Sequence, residues 1–215
     1  GFINFYLKQD WMYDMLAGII AEGENYGNLV SDCKEKIQVE YVSANPTGPL
    51  HVGHGRGAAV GSALANLMKA AGMNVSREYY INDAGNQINN LAASVNARYL
   101  EQLGQTVEFP ENGYHGHDII ETAERIVRIY GDRFLNMSEE ERLKEFRTIA
   151  LKEKLAALKE DLEAFNVTYD EWFSEQTLHD ANAIKNACDL LTERGYLYEE
   201  GGALWLKATE YGDDK

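Results

Sequence analysis

A chain of 215 residues can bury a sizeable core, as one larger domain or two small ones. Its 45% apolar and 26% charged content excludes a disordered chain, and no long apolar run or signal-peptide pattern points to a membrane or to export. The net charge of −15 excludes binding to nucleic acid through the overall field, so an RNA partner needs local basic patches or basic surface outside these residues.

Residues 1–36 read as a lead-in. Met12, Met15, Leu16 and Ile19 recur at helical spacing within residues 11–20, a helix that ends before Gly23. Residues 22–28 are polar loop. Cys33 and Cys188 form no C-x-x-C pair. They argue for neither a disulfide framework nor a zinc ribbon, and a reducing cytoplasm is the expected compartment. Residues 37–42 are strand formers, and 43–50 a turn-rich loop. The loop leads to His51 and His54, with Gly53 between them and Gly55 and Gly57 after. A helix over 56–71 follows, with Val60, Leu64, Leu67 and Ala71 at its apolar positions and Gly72 as its stop. Residues 75–81 alternate as a second strand. Strand, helix, strand is a βαβ unit, right-handed almost without exception. It implies an α/β chain with a Rossmann-like, doubly wound parallel sheet that takes ligands at the strands' C-terminal ends.

Asp83 or a neighbour caps the next helix, whose stripe is Ile88, Leu91, Val95, Tyr99 and Leu103, closed by Gly104. After a loop over 105–116, residues 118–130 repeat Ile119, Ala123, Ile126 and Tyr130 and stop at Gly131. Ser138 with Glu141 matches a capping box. The long helix behind it carries Leu143, Phe146, Leu155, Leu158, Leu162 and Phe165 on one stripe. Residues 167–173 read as a strand. Thr177 with Asp180 opens another helix, with Ile184, Cys188 and Leu191 inward and Gly195 as its stop. Residues 196–208 read as a hairpin around Gly201 and Gly202. The expected organisation is a lead-in over 1–36, the first half of a nucleotide-binding domain over 37–104, and a mostly helical insertion with a C-terminal hairpin over 105–215.

Residues 39–57 concentrate the chemistry. A strand, a glycine-containing turn and a helix N-terminus hold phosphate, because unpaired N–H groups and the helix dipole converge there. His51 and His54 add two imidazole donors. As zinc ligands they lack a third partner, for which His115 and His117 are remote candidates. As a dinucleotide fingerprint, Gly53-x-Gly55-x-x-Ala58 has Glu78 about twenty residues beyond it. However, the loop over 43–50 separates those glycines from the strand, and Glu78 falls inside its own strand. Chance histidines near a helix start are the remaining alternative. Glu40 lies on the first strand, which a βαβ unit makes central, and a carboxylate there is costly unless paired. Asn45 with Pro46 is by itself a good turn. Asp83, Asn86 and Gln87 follow the second strand at the ligand-binding edge. Tyr169, Trp172 and Phe173 are core aromatics or a base-stacking platform.

The tetrad His51, Val52, Gly53, His54 resembles the HIGH signature of class I aminoacyl-tRNA synthetases. Its flanks (Glu40, Ser43, Ala44, Asn45, Pro46, Thr47, Gly48) and the later run YINDAGNQI over 80–88 resemble bacterial arginyl-tRNA synthetases. The segments FINF over 2–5 and WFSE over 172–175 resemble further parts of that family, so the resemblance runs the length of the chain. It implies an internal fragment holding the first half of the catalytic domain and its insertion. The implied activity is arginine–tRNA ligation. ATP and arginine give arginyl-adenylate and pyrophosphate, with tRNA needed even for that step, and the arginyl group then passes to the terminal adenosine of tRNA.

The resemblance implies that His51, Gly53 and His54 bind ATP, with Gly55 in the same turn, and that His51 and His54 are catalytic through charge growing on phosphate oxygens. It gives Glu40 the arginine guanidinium, which matches a carboxylate fork to fork. Ser43 and Asn45 take the α-amino and carboxylate end. Asp83, Asn86 and Gln87 stay near the site without an assigned role. Mg²⁺ enters with ATP as a substrate complex, and no resident metal or prosthetic group is expected. The implied partners are arginine, ATP and tRNA, the last held weakly by these residues alone, in a monomeric cytoplasmic enzyme without a membrane. The second class I signature, KMSKS, is not in these residues, nor are the helix that also reads arginine and the anticodon-binding domain, so the chain alone is expected to be inactive. The alternatives are another HxGH nucleotidyltransferase, a dinucleotide-dependent enzyme, or a non-catalytic module that kept the nucleotide fold.

Overall fold

The computed structural model describes residues 1–30 and 35–213. Asp10–Glu22 (α1) comes first, followed by Lys36–Glu40 (β1), Val52–Ala70 (α2) and Asn74–Ile81 (β2). Three helices follow, Asn86–Gln102 (α3), His117–Tyr130 (α4) and Glu139–Ala164 (α5). Glu171–Ser174 (β3) then returns to the sheet. Two helices, Gln176–Asp180 (α6) and Ala183–Glu193 (α7), lead to a hairpin of Leu197–Glu200 (β4) and Ala203–Leu206 (β5). The α/β class is as expected. The sheet is parallel in the order β1-β2-β3, with Glu40 opposite Glu78 and Glu78 opposite Glu171. The third strand comes from within the range expected as insertion. Among the described residues no helix is long and apolar enough to cross a membrane.

Among the described residues two clusters make the core. Tyr41, Ala58, Tyr79, Ile81, Leu162 and Val167 join one face of the sheet to α2 and to the end of α5. Leu91, Val95, Tyr99, Ile119, Ile126 and Phe146 join α3, α4 and α5. The α5 start is the expected capping box, with the Ser138 hydroxyl accepting from the Glu141 amide and the Glu141 carboxylate accepting from Ser138 N–H. On α5, Lys154 is buried, and its Nζ lies 2.6 Å from Asp118 Oδ2 at the start of α4. A buried ammonium needs such a partner.

Several expectations change. The inward face of α2 is Ala58, Gly61, Ser62 and Ala65, whereas Val60, Leu64 and Leu67 are exposed. Tyr41 is the cause. A Cβ on Gly61 would stand 2.3 Å from its ring, so only small residues let α2 approach the sheet. Of Asp83 and its neighbours, the N-cap of α3 is Gly85, at φ 79° and without a side-chain cap. The helix expected from Thr177 is broken at Asn182, which is left-handed at φ 53°. Ile184, Cys188 and Leu191 find no core, since no residue of α7 is buried. Phe165 is exposed beyond the end of α5, and the apolar positions of α1 are exposed as well. Cys33 lies outside the described residues, and Cys188 is a free thiol.

Candidate active site

The chain leaves β1 through a strained bend. Val42 and Ser43 are both left-handed, at φ 67° and 40°. Such conformations cost about 1–3 kcal/mol each and persist where surrounding bonds over-determine them. Those bonds are present. Ser43 N–H donates to Tyr41 O, Ser43 Oγ accepts from Tyr80 N–H at 3.0 Å, and the Tyr79 hydroxyl donates to Ala44 O at 2.9 Å. Burial pushes the Tyr79 phenol up to about 12, which keeps it a donor. Pro46 is fully buried behind the bend.

The bend delivers His51 to the N-cap of α2, so the helix begins four residues earlier than its periodicity indicates. His51 Nδ1 accepts from Gly53 N–H at 3.1 Å, and His54 Nδ1 accepts from His51 N–H at 3.2 Å. The two rings stack with centroids 3.8 Å apart. A ring nitrogen that accepts carries no proton, so each neutral imidazole is protonated at Nε2. Both histidines therefore cap the helix with one edge and keep a donor on the other. Protonation would place a second N–H against the capped amide. Consistent with that, burial and the neighbouring His51 lower the pKa of His54. A Cβ on Gly53 would stand 2.9 Å from the His51 ring, so Gly53 makes room for the imidazole itself. A Cβ on Gly55 would meet nothing within 4 Å, and Gly55 borders a hollow of about 270 Å³ beside His51, Leu50 and Phe165.

Glu40 is exposed at the end of β1, and β1 has one neighbour, β2, among the described residues. Within the described residues the Glu40 carboxylate is therefore not the buried one expected. Its field is nevertheless shared. The Tyr80 phenol is pushed up by burial and then by Glu175, Asp83 and Glu40. One carboxylate follows or ends each of the three strands, which makes the C-terminal edge of the sheet attractive to a cation. Asp83 has a defined place there, accepting from Ser174 Oγ at 2.6 Å and from Gln176 N–H at 3.0 Å. It thus caps the start of α6 instead of α3 and ties the ends of β2 and β3 together. Asn86 and Gln87 are exposed in the first turn of α3. Asn45 is exposed in the loop beside Ser43.

Sequence patterns missed Gly61, Glu175 and Arg147, whose Nη2 donates to Asp83 O at 3.1 Å. None belongs to a spacing rule. Their roles arise from segments far apart in the chain.

The rivals fit less well. Gly53 and Gly55 sit inside the first turn of α2, not on a turn that leaves a strand, so the dinucleotide fingerprint lacks its geometry. His115 packs on Phe109 and His117 pairs with Glu121. Among the described residues no three His, Cys, Asp or Glu side chains could share a metal ion. Tyr169 and Trp172 are partly buried against the core, with Trp172 stacked on Tyr79 at 4.5 Å and the Tyr169 hydroxyl donating to Tyr41 O.

Residues 15–214 match the family described as tRNA synthetases class I (R), catalytic domain. Arginine–tRNA ligase from Carboxydothermus hydrogenoformans is 56% identical over all 215 residues, which span 39% of its length. The ligase from Bacillus licheniformis is 51% identical over the same coverage. Among solved structures, a Campylobacter jejuni protein described as an arginyl-tRNA synthetase superposes with a TM-score of 0.78 at 32% identity. The match covers 97% of this chain and 45% of that one. Thermus thermophilus arginyl-tRNA synthetase gives 0.57 at 25% identity, covering 96% of this chain and 34% of that one. The chain thus spans about two fifths of the curated relatives it matches. With a paired-histidine cap at the head of α2, a parallel sheet behind it and a match over nearly every residue, the chain belongs to the class I arginyl-tRNA synthetase family, within its catalytic domain.

Proposed function

We propose that the complete protein is an arginine–tRNA ligase and that this chain supplies one half of its activation site. The observation that carries the reading is the pair of imidazoles at the α2 N-terminus, each held by Nδ1 and free to donate from Nε2. In activation, the arginine carboxylate attacks the α-phosphate of ATP, a bond forms from carboxylate oxygen to phosphorus, and pyrophosphate leaves. Negative charge grows on the phosphate oxygens. Two neutral N–H donors beside a helix N-terminus are pre-set to meet that charge without giving up a proton. Because the backbone holds both rings, little reorganisation is needed during the step.

Arginine lies on the acidic edge of the sheet, with its guanidinium on Glu40 and its α-amino and carboxylate end near Ser43 and Asn45. The bonded Ser43 Oγ still has a hydroxyl proton to donate. Asp83 positions the edge; Asn86 and Gln87 lie near it. Mg²⁺ arrives with ATP as the substrate complex. We place the nucleotide-binding half at residues 37–104 and begin the inserted helices at 105, with β3 rejoining the sheet. The enzyme is monomeric and cytoplasmic. The test is ATP–pyrophosphate exchange by the complete polypeptide with each amino acid, with and without tRNA. Exchange confined to arginine and dependent on tRNA is expected; exchange driven by a different amino acid, or none at all, overturns the reading.

A further inference from the structure

The left-handed pair Val42 and Ser43 is held from both sides by phenol hydroxyls. Ahead of the pair, the Tyr169 hydroxyl donates to Tyr41 O at 3.1 Å. Behind it, the Tyr79 hydroxyl donates to Ala44 O at 2.9 Å. The two tyrosines come from different parts of the chain, Tyr79 from β2 and Tyr169 from the segment between α5 and β3. The grip on Tyr41 is reciprocal, since its own hydroxyl donates to Thr168 O at 3.3 Å. The three rings form one group. Tyr41 and Tyr169 have centroids 4.7 Å apart, and Tyr79 meets Tyr169 edge to face at 5.3 Å. Burial pushes both donor phenols up, so neither gives up its proton at neutral pH.

Packing alone does not need these hydroxyls. Phenylalanine would fill nearly the same volume and keep the ring contacts. What the hydroxyls add is a fixed place for two carbonyls. Tyr41 O also accepts from Ser43 N–H, but Ala44 O has no second partner among the described residues. Ala44 is buried, so without Tyr79 its carbonyl must move towards water or stay unpaired. Ser43 precedes it, Asn45 follows it, and the loop then runs on to His51. The bend thus sets where the arginine end of the site stands relative to the histidines on α2. We propose that Tyr79 and Tyr169 are positioning residues for activation, clamping the bend so that the arginine carboxylate is held within reach of the α-phosphate. The inference rests on the reading of the complete protein as an arginine–tRNA ligase. Both tyrosines act through the backbone. A displacement of about 1 Å passed along it is enough to cost up to about 10²-fold in rate.

The test uses the complete polypeptide carrying Tyr79→Phe or Tyr169→Phe. Tyr99→Phe is the control, because Tyr99 is as buried as Tyr79 and its hydroxyl donates to Gly131 O at 2.8 Å in the helical cluster. Each variant loses one hydrogen bond and keeps its ring, so all three should melt somewhat below wild type. Pyrophosphate exchange should separate them. Tyr79→Phe should lower kcat about tenfold or more, with the KM for arginine and for ATP within about threefold of wild type, since the groups that bind each substrate remain and only their alignment is lost. Tyr169→Phe should lower kcat less, because Ser43 N–H still holds Tyr41 O. Tyr99→Phe should keep the wild-type kcat. Amide hydrogen exchange over residues 43–50 should speed up in Tyr79→Phe and match wild type in Tyr99→Phe. A wild-type kcat in Tyr79→Phe, or an equal fall in Tyr99→Phe, overturns the positioning role and leaves the ligase reading standing. Unchanged hydrogen exchange over residues 43–50 in Tyr79→Phe also overturns it, and that readout needs no activity. Absence of arginine-dependent pyrophosphate exchange in wild type sinks the ligase reading itself, while the hydrogen-exchange comparison still decides whether the hydroxyls clamp the bend.

Discussion

Replacing His51 by alanine and by asparagine separates the cap that its ring forms from the donor role proposed for it. Alanine removes the Nδ1 acceptor for Gly53 N–H and the Nε2 donor together. Loss of an N-cap acceptor costs about 1 kcal/mol, which for a domain of this size lowers the melting temperature by about 2–4 °C. Loss of a donor to transition-state charge costs about 10²–10³-fold in rate, or about 2.7–4 kcal/mol. Asparagine is among the best N-cap residues. Its short amide can take over the cap but ends well short of the position of Nε2. His51→Asn should therefore melt like wild type and activate arginine as poorly as His51→Ala. Differential scanning calorimetry and pyrophosphate exchange on the complete polypeptide give the two readouts. An asparagine variant that regained both stability and rate would show that the imidazole acts only as a cap, and the donor role would be abandoned.

His54 should leave a mark on the pH dependence of stability. Its pKa is lowered in the folded chain, so the unfolded chain binds the proton more readily. The contribution is full above the unfolded value of about 6.5 and is lost as pH falls from there through the lower folded value. Melting curves of wild type and His54→Asn should diverge across that range, and superimposable pH profiles would refute the claim. Glu40→Gln should raise the KM for arginine and weaken rejection of citrulline, its neutral isostere. Unchanged arginine kinetics with lowered stability would make the residue structural. Gly61→Ala should destabilise by about 1–3 kcal/mol through the clash of its methyl with Tyr41, read by denaturant unfolding, and Tyr41→Ala in the same chain should relieve part of that clash. Lys154→Ala should cost about 3 kcal/mol by stranding Asp118, at the low end for a broken buried pair because that carboxylate is partly exposed.

Much of the architecture was legible because it rests on local rules. The capping box at Ser138 and Glu141, the stripe of α3, the β2 alternation and the two-glycine hairpin are patterns within a few residues, and each appears where its spacing places it. The errors share a cause. Val60, Leu64 and Leu67 have the right period for a core face, yet what lies against α2 is the Tyr41 ring, and only the small residues fit under it. Ile184 and Leu191 likewise keep a helical period, yet neither is buried. Asp83 has the composition of a cap, but the amide it satisfies belongs to Gln176, 93 positions away. At the site, the histidine tetrad was readable as a string. The tautomer it enforces was not, because that follows from which backbone amides the two rings meet.

The left-handed pair at Val42 and Ser43 also bears on how this domain would respond to selection. A β-branched residue in that region is a site where glycine or asparagine relieves backbone strain at once. A laboratory screen for heat resistance alone should therefore enrich Val42→Gly early. A screen for arginylation should discard the same change, because a relaxed bend no longer fixes where the loop delivers His51. The two screens run side by side would show whether the strain is an accident of sequence or stability given up to hold the loop in register.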